Sequence, residues 1–213
     1  MSYYPKLAKR LAILNVPHPT RFADSLSTPQ QLLKSWYIFA FQPPRIAELG
    51  FSALGGQLVR QVFTIDPDTG LDAWELDRYV EAATGPEGMT AAINWYRAAG
   101  AGLWPANMPS VPPPLTDAIQ TVQGVKGKGK SAPVARSSVI ACPVLVLWGK
   151  RDRYLGMELA TPPPEAVPNC RVQYLDATHW VHWDRRTEVS DALLSFVREG
   201  DARKEGAGLQ STR

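Results

Sequence analysis

The 213 residues suffice for one substantial domain with an insertion and for a core that buries roughly 70% of the unfolded surface, so no disulfide or metal staple is needed. Hydrophobic residues make up 45%, charged residues 20% and aromatics 9%, a globular profile that excludes a disordered, collagen-like or coiled-coil chain. A net charge of +3, from 23 basic against 20 acidic side chains, is too small to imply a nucleic-acid partner.

Taken in chain order, Leu11-Ala12-Ile13-Leu14-Asn15 follows the end of a helix and reads as a short buried strand, stopped by Val16-Pro17-His18-Pro19. From Thr28 to Arg60 the pattern turns helical, with Ser27 or Thr28 as N-cap, Pro29 in the first turn and Pro43-Pro44 as a break after Gln42. Asp66 to Gly70 is a turn, and two further helices are expected over 72–83 and 86–98. Leu103 to Arg136 is rich in proline and carries Gly124-Val125-Lys126-Gly127-Lys128-Gly129-Lys130, the composition of a mobile connection. The apolar run Cys142 to Gly149 is typical of a parallel strand covered on both faces, and Arg171 to Leu175 is a shorter strand. Val189, Ala192, Leu193, Phe196 and Val197 form one stripe of a closing helix over 184–198.

This order predicts an α/β fold of parallel strands with flanking helices and an inserted helical lobe. The expected divisions are 1–19 for a partial core of one helix end and one strand, 20–102 for the helical cap, 103–138 for the linker, 139–199 for the remaining core and 200–213 for a frayed tail. Cys142 and Cys170 sit in no ligand spacing, so neither a disulfide scaffold nor a metal site is implied, and no cofactor is expected. With no run near ~18 apolar residues and no signal-peptide pattern, a chain without a membrane segment and with a cytoplasmic location is expected.

Chemistry in such a fold gathers beyond the carboxyl ends of the strands. Asp152 follows the strand ending at Gly149, and His179 follows the strand ending at Leu175. Neighbouring parallel strands lie about 4.8 Å apart, so a carboxylate and an imidazole on their top loops can meet. A carboxylate on one ring nitrogen fixes the tautomer and leaves the other nitrogen as a base near neutral pH. Either residue alone is an ordinary loop residue; the pair carries the meaning.

Trp148-Gly149 with Asp152, and His179-Trp180 with Asp184, resemble the acid and base segments of the α/β-hydrolase superfamily. Leu14-Asn15-Val16-Pro17-His18-Pro19, Ser35-Trp36-Tyr37-Ile38-Phe39-Ala40-Phe41-Gln42-Pro43 and Ile93-Asn94-Trp95-Tyr96-Arg97 resemble the cap of the epoxide hydrolases and the segment leading into it. The resemblance runs from about Tyr4 to Arg198. It implies that His179 is a general base oriented by Asp152, and that the phenols of Tyr37 and Tyr96 hold an epoxide oxygen as the ring opens. It also implies that Trp36, Phe41, Trp95 and Trp180 line the pocket of a small apolar epoxide. Trp36, Phe39, Phe41 and Trp95 are expected to form one apolar cluster.

The sequence departs from that family in one respect. The family's G-x-D-x-G nucleophile turn and His-Gly-x-Pro oxyanion segment are absent, and Gly70-Leu71-Asp72-Ala73-Trp74 fails at its last position. Met1 is expected to fall partway along the helix that follows the nucleophile, which leaves the edge of the Leu11 to Asn15 strand open and implies self-association there. Two alternatives stay open: a dehalogenase or ester hydrolase on the same fold, and a non-enzymatic remnant that pairs with a homologue through that edge.

Overall fold

The computed structural model describes residues 8–43, 45–66, 69–85, 88–100 and 139–210. The expected linker over 103–138, the helix end before residue 8 and residues 211–213 of the expected tail lie outside the described residues. The chain divides into two units, a core of Met1–Leu32, Asp68–Gly70 and Arg136–Arg213, and a helical unit of Leu33–Pro67 and Leu71–Ala135.

Among the described residues the core holds three parallel strands, β1 (Leu11–Leu14), β2 (Val144–Gly149) and β3 (Cys170–Leu175), in that spatial order. Leu11 pairs with Val144 and Leu14 with Leu147, while Val144 pairs with Cys170 and Gly149 with Leu175. All six β2 residues are buried, which explains the unbroken apolar run: a central parallel strand is covered on both faces. Alternation then divides its side chains. Val144, Val146 and Trp148 pack with Leu155, Leu159 and Val167, against which Leu11, Ile13 and Phe22 lie. Leu145 and Leu147 pack with Leu175, Val181, Val189 and Phe196. The helices α8 (Val181–Asp184) and α9 (Arg186–Gln210) supply that second face, and α9 continues twelve residues beyond the Arg198 read from sequence.

One helix was not foreseen. α1 (Pro19–Ser25) starts at the proline that ends the strand region, because a proline that cannot pair in a ladder is well suited to the first turn of a helix. Phe22 packs α1 onto the core, and α1 belongs to the core unit. α2 (Pro29–Lys34) opens with Thr28 Oγ1 accepting from the Gln31 backbone N–H, and the chain bends at buried Ser35 before α3 (Trp36–Ala40).

The helical unit continues with α4 (Ile46–Ser52), α5 (Gln57–Thr64), α6 (Ala73–Thr84) and α7 (Thr90–Gly100). Val59, Val80 and Ala83, with Phe51, Phe63, Leu76 and Met89 against them, form its centre. At the start of α6 the Glu75 carboxylate accepts the Asp72 backbone N–H at 3.0 Å, one of the two reciprocal bonds of a capping box.

Candidate active site

At the carboxyl end of β2 the strand stops at Gly149, and the chain turns to present Asp152. A side chain at Gly149 would run into the backbone carbonyls of Thr178 and Ala177, so glycine lets the segment that leads to His179 cross directly over the end of β2. That crossing brings His179 Nδ1 to 2.8 Å from Asp152 Oδ2. An ionised carboxylate can only accept, so Nδ1 carries the hydrogen and Nε2 is left with its lone pair.

The Asp152 side chain is 1% exposed and takes four hydrogen bonds. Oδ1 accepts the backbone N–H groups of Tyr154 at 2.7 Å and Leu155 at 3.0 Å, and Oδ2 accepts Asn15 Nδ2 at 2.6 Å as well as His179. Burial alone pushes this carboxyl up; the hydrogen bond and charge of His179, with the bonds from Asn15 and Tyr154, outweigh it and hold the group below its ordinary value. Asp152 is therefore a carboxylate at neutral pH.

The loops on either side are pinned in turn. Gln31, 1% exposed, donates Nε2 to the Tyr154 carbonyl and accepts the Gly156 N–H on Oε1, fixing the segment whose amides hold Asp152. Asp184 accepts the backbone N–H of Thr178 at 2.6 Å on one oxygen and that of Gly70 at 3.2 Å on the other. Arg186 donates to the Gly70 carbonyl, and any side chain at Gly70 would strike the Trp183 carbonyl. The His179 ring, 25% exposed as a side chain, meets the rings of Tyr154 and Trp180 edge-on, with centroids 5.2 Å and 4.9 Å away. His18 stands apart from this group, sharing a 2.8 Å hydrogen bond with Thr20.

In the helical unit, Tyr37 on α3 and Tyr96 on α7 meet edge-on at 5.7 Å between centroids, and Phe41 touches both. Burial pushes the Tyr96 phenol above its usual value, so it stays protonated at neutral pH. Arg97 anchors this trio: it donates to the carbonyls of Phe41 and Pro43 and forks onto the Glu48 carboxylate at 2.6 and 3.0 Å. Gln42 donates to the Tyr96 carbonyl and so ties α3 to α7 again.

Trp36 and Trp95 are not part of the expected cluster; they are 66% and 81% exposed. Each directly precedes one of the tyrosines, and consecutive helical positions point about 100° apart, so the face that turns each tyrosine inward turns its tryptophan out. Phe41 lies within the trio, and Trp180 lies beside His179 in the core unit. Asn15 and Tyr154 were expected at the carboxyl ends of the strands but with no role of their own, and Gln31 was not foreseen as part of the site. Among the described residues no group of His, Cys, Asp and Glu could hold a metal ion.

No family model matches the chain. It is 27% identical to human epoxide hydrolase 4 over 212 residues, covering 95% of this chain and 50% of that protein. It is 28% identical to the AB hydrolase superfamily protein YfhM of Bacillus subtilis, covering 91% and 59%. The crystal structure of Bacillus megaterium epoxide hydrolase in complex with an inhibitor superimposes with a TM-score of 0.67 at 22% identity, over 92% of this chain and 63% of that one.

The chain is similar in sequence to epoxide hydrolases and has the fold of the α/β-hydrolases. It spans about half the length of the curated relatives it matches. Within this epoxide hydrolase-like chain the strand order β1-β2-β3 carries Asn15, Asp152 and His179 in the same order across the carboxyl edge of the sheet. No helix among the described residues is long and apolar enough to cross a membrane.

Proposed function

We propose that the chain supplies the base and the oxygen donors of an epoxide-hydrolysing site, and that the helical unit acts as its cap. The observation that carries the reading is the 2.8 Å contact between His179 Nδ1 and Asp152 Oδ2, which leaves Nε2 as the base. In the first step a nucleophilic aspartate attacks an epoxide carbon, the C–O bond breaks, and Tyr37 and Tyr96 stabilise the leaving oxygen and deliver a proton to it. In the second, His179 Nε2 takes a proton from water, which hydrolyses the glycol ester and releases the diol and the aspartate. Phenols suit the first step because they donate strongly without ionising at neutral pH, and the edge-on packing of Tyr37 and Tyr96 in one unit supports their sharing one oxygen.

No G-x-D-x-G occurs in these 213 residues, so the aspartate must come from sequence outside them. The expected substrate is a small apolar epoxide, with Phe41 and Trp180 as apolar neighbours of the reacting groups. Free Cys142 and Cys170 fit a reducing, cytoplasmic setting.

The test is diol formation from an aryl or alkyl epoxide. The 213-residue chain alone is expected to be inactive, because a held carboxylate contributes up to roughly 7–11 kcal/mol over free water. Activity is expected when an upstream segment bearing the aspartate is joined, and it is expected to be lost again in His179→Ala. Turnover by the 213-residue chain, abolished by His179→Ala and Tyr37→Phe, would overturn the requirement for that aspartate.

A second reading rests on the edge of β1. A cavity of about 440 Å³ is lined by Leu11 to Leu14 and Val16 to Pro19 together with Ile140, Val144, Val146 and Val167, and an apolar parallel edge favours association. Light scattering should then show a dimer that Ala12→Lys disperses.

A further inference from the structure

Asn15 is the first residue after β1, it is 2% exposed, and its backbone sits at φ 46°, in the left-handed region that non-glycine residues rarely enter. Its backbone N–H still donates to the Leu147 carbonyl, so the strand pairing carries on to this residue and then turns sharply. Both ends of the side-chain amide are engaged. Oδ1 accepts the backbone N–H of Gly149 at 2.8 Å, and Nδ2 donates to Asp152 Oδ2 at 2.6 Å. The assignment of the two ends follows from chemistry, since a backbone N–H can only donate and an ionised carboxylate can only accept.

Building on the reading of Asp152 and His179 as the orienting acid and the base, we infer that Asn15 is a positioning residue that sets the plane of the Asp152 carboxylate toward His179. The Tyr154 and Leu155 amides fix only Oδ1, about which the carboxylate could still swing. Asn15 fixes Oδ2, the same oxygen that faces His179 Nδ1, so the remaining lone-pair direction is aimed before the imidazole arrives. The position restricts the residue type. Glycine tolerates the backbone but carries no amide; aspartate tolerates it and keeps the acceptor for Gly149 but has no donor for Asp152. Asparagine meets the three demands on a short side chain: a positive φ, a donor and an acceptor.

Asn15 also spans the join between strands. It links the end of β1 to the end of β2 through Gly149 and to the following loop through Asp152, which then reaches the segment after β3 through His179. Among the described residues, His179 is the titratable side chain hydrogen-bonded to Asp152.

The experiment is a pH titration of the Asp152 carboxyl carbon by NMR in the 213-residue chain, with Asp152→Asn supplying the assignment and circular dichroism checking the fold. In Asn15→Gly, which keeps the backbone conformation, the Asp152 midpoint is expected to rise, because one of its four hydrogen bonds is lost while its burial remains. In Asn15→Asp, which keeps the Gly149 contact and nearly the same volume, the two facing carboxyls are expected to share a proton at a pH where wild-type Asp152 is ionised. A folded Asn15→Gly with the wild-type Asp152 titration would overturn the inference and leave Asn15 a strand-end clamp for Gly149. If Asn15→Gly does not fold, full ionisation of both carboxyls in a folded Asn15→Asp would overturn it equally. None of these readouts is turnover, so failure of the epoxide reading in the diol assay and failure of this inference are separate results.

Discussion

In the core unit one buried carboxylate takes four hydrogen bonds from three stretches of chain, whereas in the helical unit the two tyrosines are held by ring packing at 5.7 Å and by backbone anchors from Arg97 and Gln42. The difference matches the roles proposed for the two regions. An acid–base pair needs one rotamer and one tautomer, which directional hydrogen bonds at strand ends impose. On the proposed reading a phenol serves a substrate oxygen, and the packed rings of Tyr37, Phe41 and Tyr96 set where it lies. Perturbing the first region should therefore cost stability and geometry together, while trimming the tyrosine hydroxyls in the second should cost little stability and more chemistry.

The largest effect is expected from Asp152→Ala. It leaves Asn15 Nδ2 and the amides of Tyr154 and Leu155 as buried donors without acceptors, and should destabilise the core by about 3 kcal/mol or more in urea unfolding. Arg97→Ala comes next, at about 2 kcal/mol, since it strands the Glu48 carboxylate and frees the Phe41 and Pro43 carbonyls. Hydrogen exchange should localise that loss to the helical unit; an equal loss of protection in β2 would break the comparison.

Acid sharpens it further. Burial pushes both Asp152 and Glu48 up, but their hydrogen-bonding partners prevail and both end below their ordinary values. Each then contributes stability that is present above the ordinary carboxylate range and lost as pH falls through the lowered folded value. Glu48→Gln is expected to flatten this acid dependence for amides of the helical unit and leave it in the core, as read by exchange at several pH values. The smallest effect on stability, under about 1 kcal/mol by thermal melting, belongs to Tyr37→Phe and Tyr96→Phe, which keep the edge-on rings. In the form supplied with the aspartate, these same variants are expected to remove most diol formation.

Much of the core could be read from the sequence because its signals are local. Val144 to Gly149 is apolar without interruption, as a strand covered on both faces is; Asp152 follows it within a few residues, and His179 follows the more exposed β3 in the same way. Asn15 was legible as the end of a strand and as part of a family-like segment, but not as a partner of Asp152. A polar residue that tolerates positive φ at that place was an available signal, but its two partners lie 134 and 137 positions away and periodicity does not encode them. Pro19 ends a strand region and begins a helix at once, and only the first of these was read. Trp36 and Trp95 were grouped with their neighbours by composition, although helical geometry turns adjacent residues to different faces. Gly70 sits in sequence between helices of one unit and docks on the Trp183 and Asp184 segment of the other part of the chain's core, a contact that no local pattern predicts.

The measurement that bears most directly on the acid–base pair is nitrogen NMR of ring-15N-labelled histidines near neutral pH, with His179 assigned from His179→Gln and compared with Asp152→Asn. The 2.8 Å contact predicts that neutral His179 carries its hydrogen on Nδ1, bonded to Asp152, with Nε2 bare, and that Asp152→Asn abolishes this preference. A neutral His179 protonated on Nε2, or one whose tautomer is the same in Asp152→Asn, would contradict the assignment of Asp152 as the orienting acid and of His179 as the base.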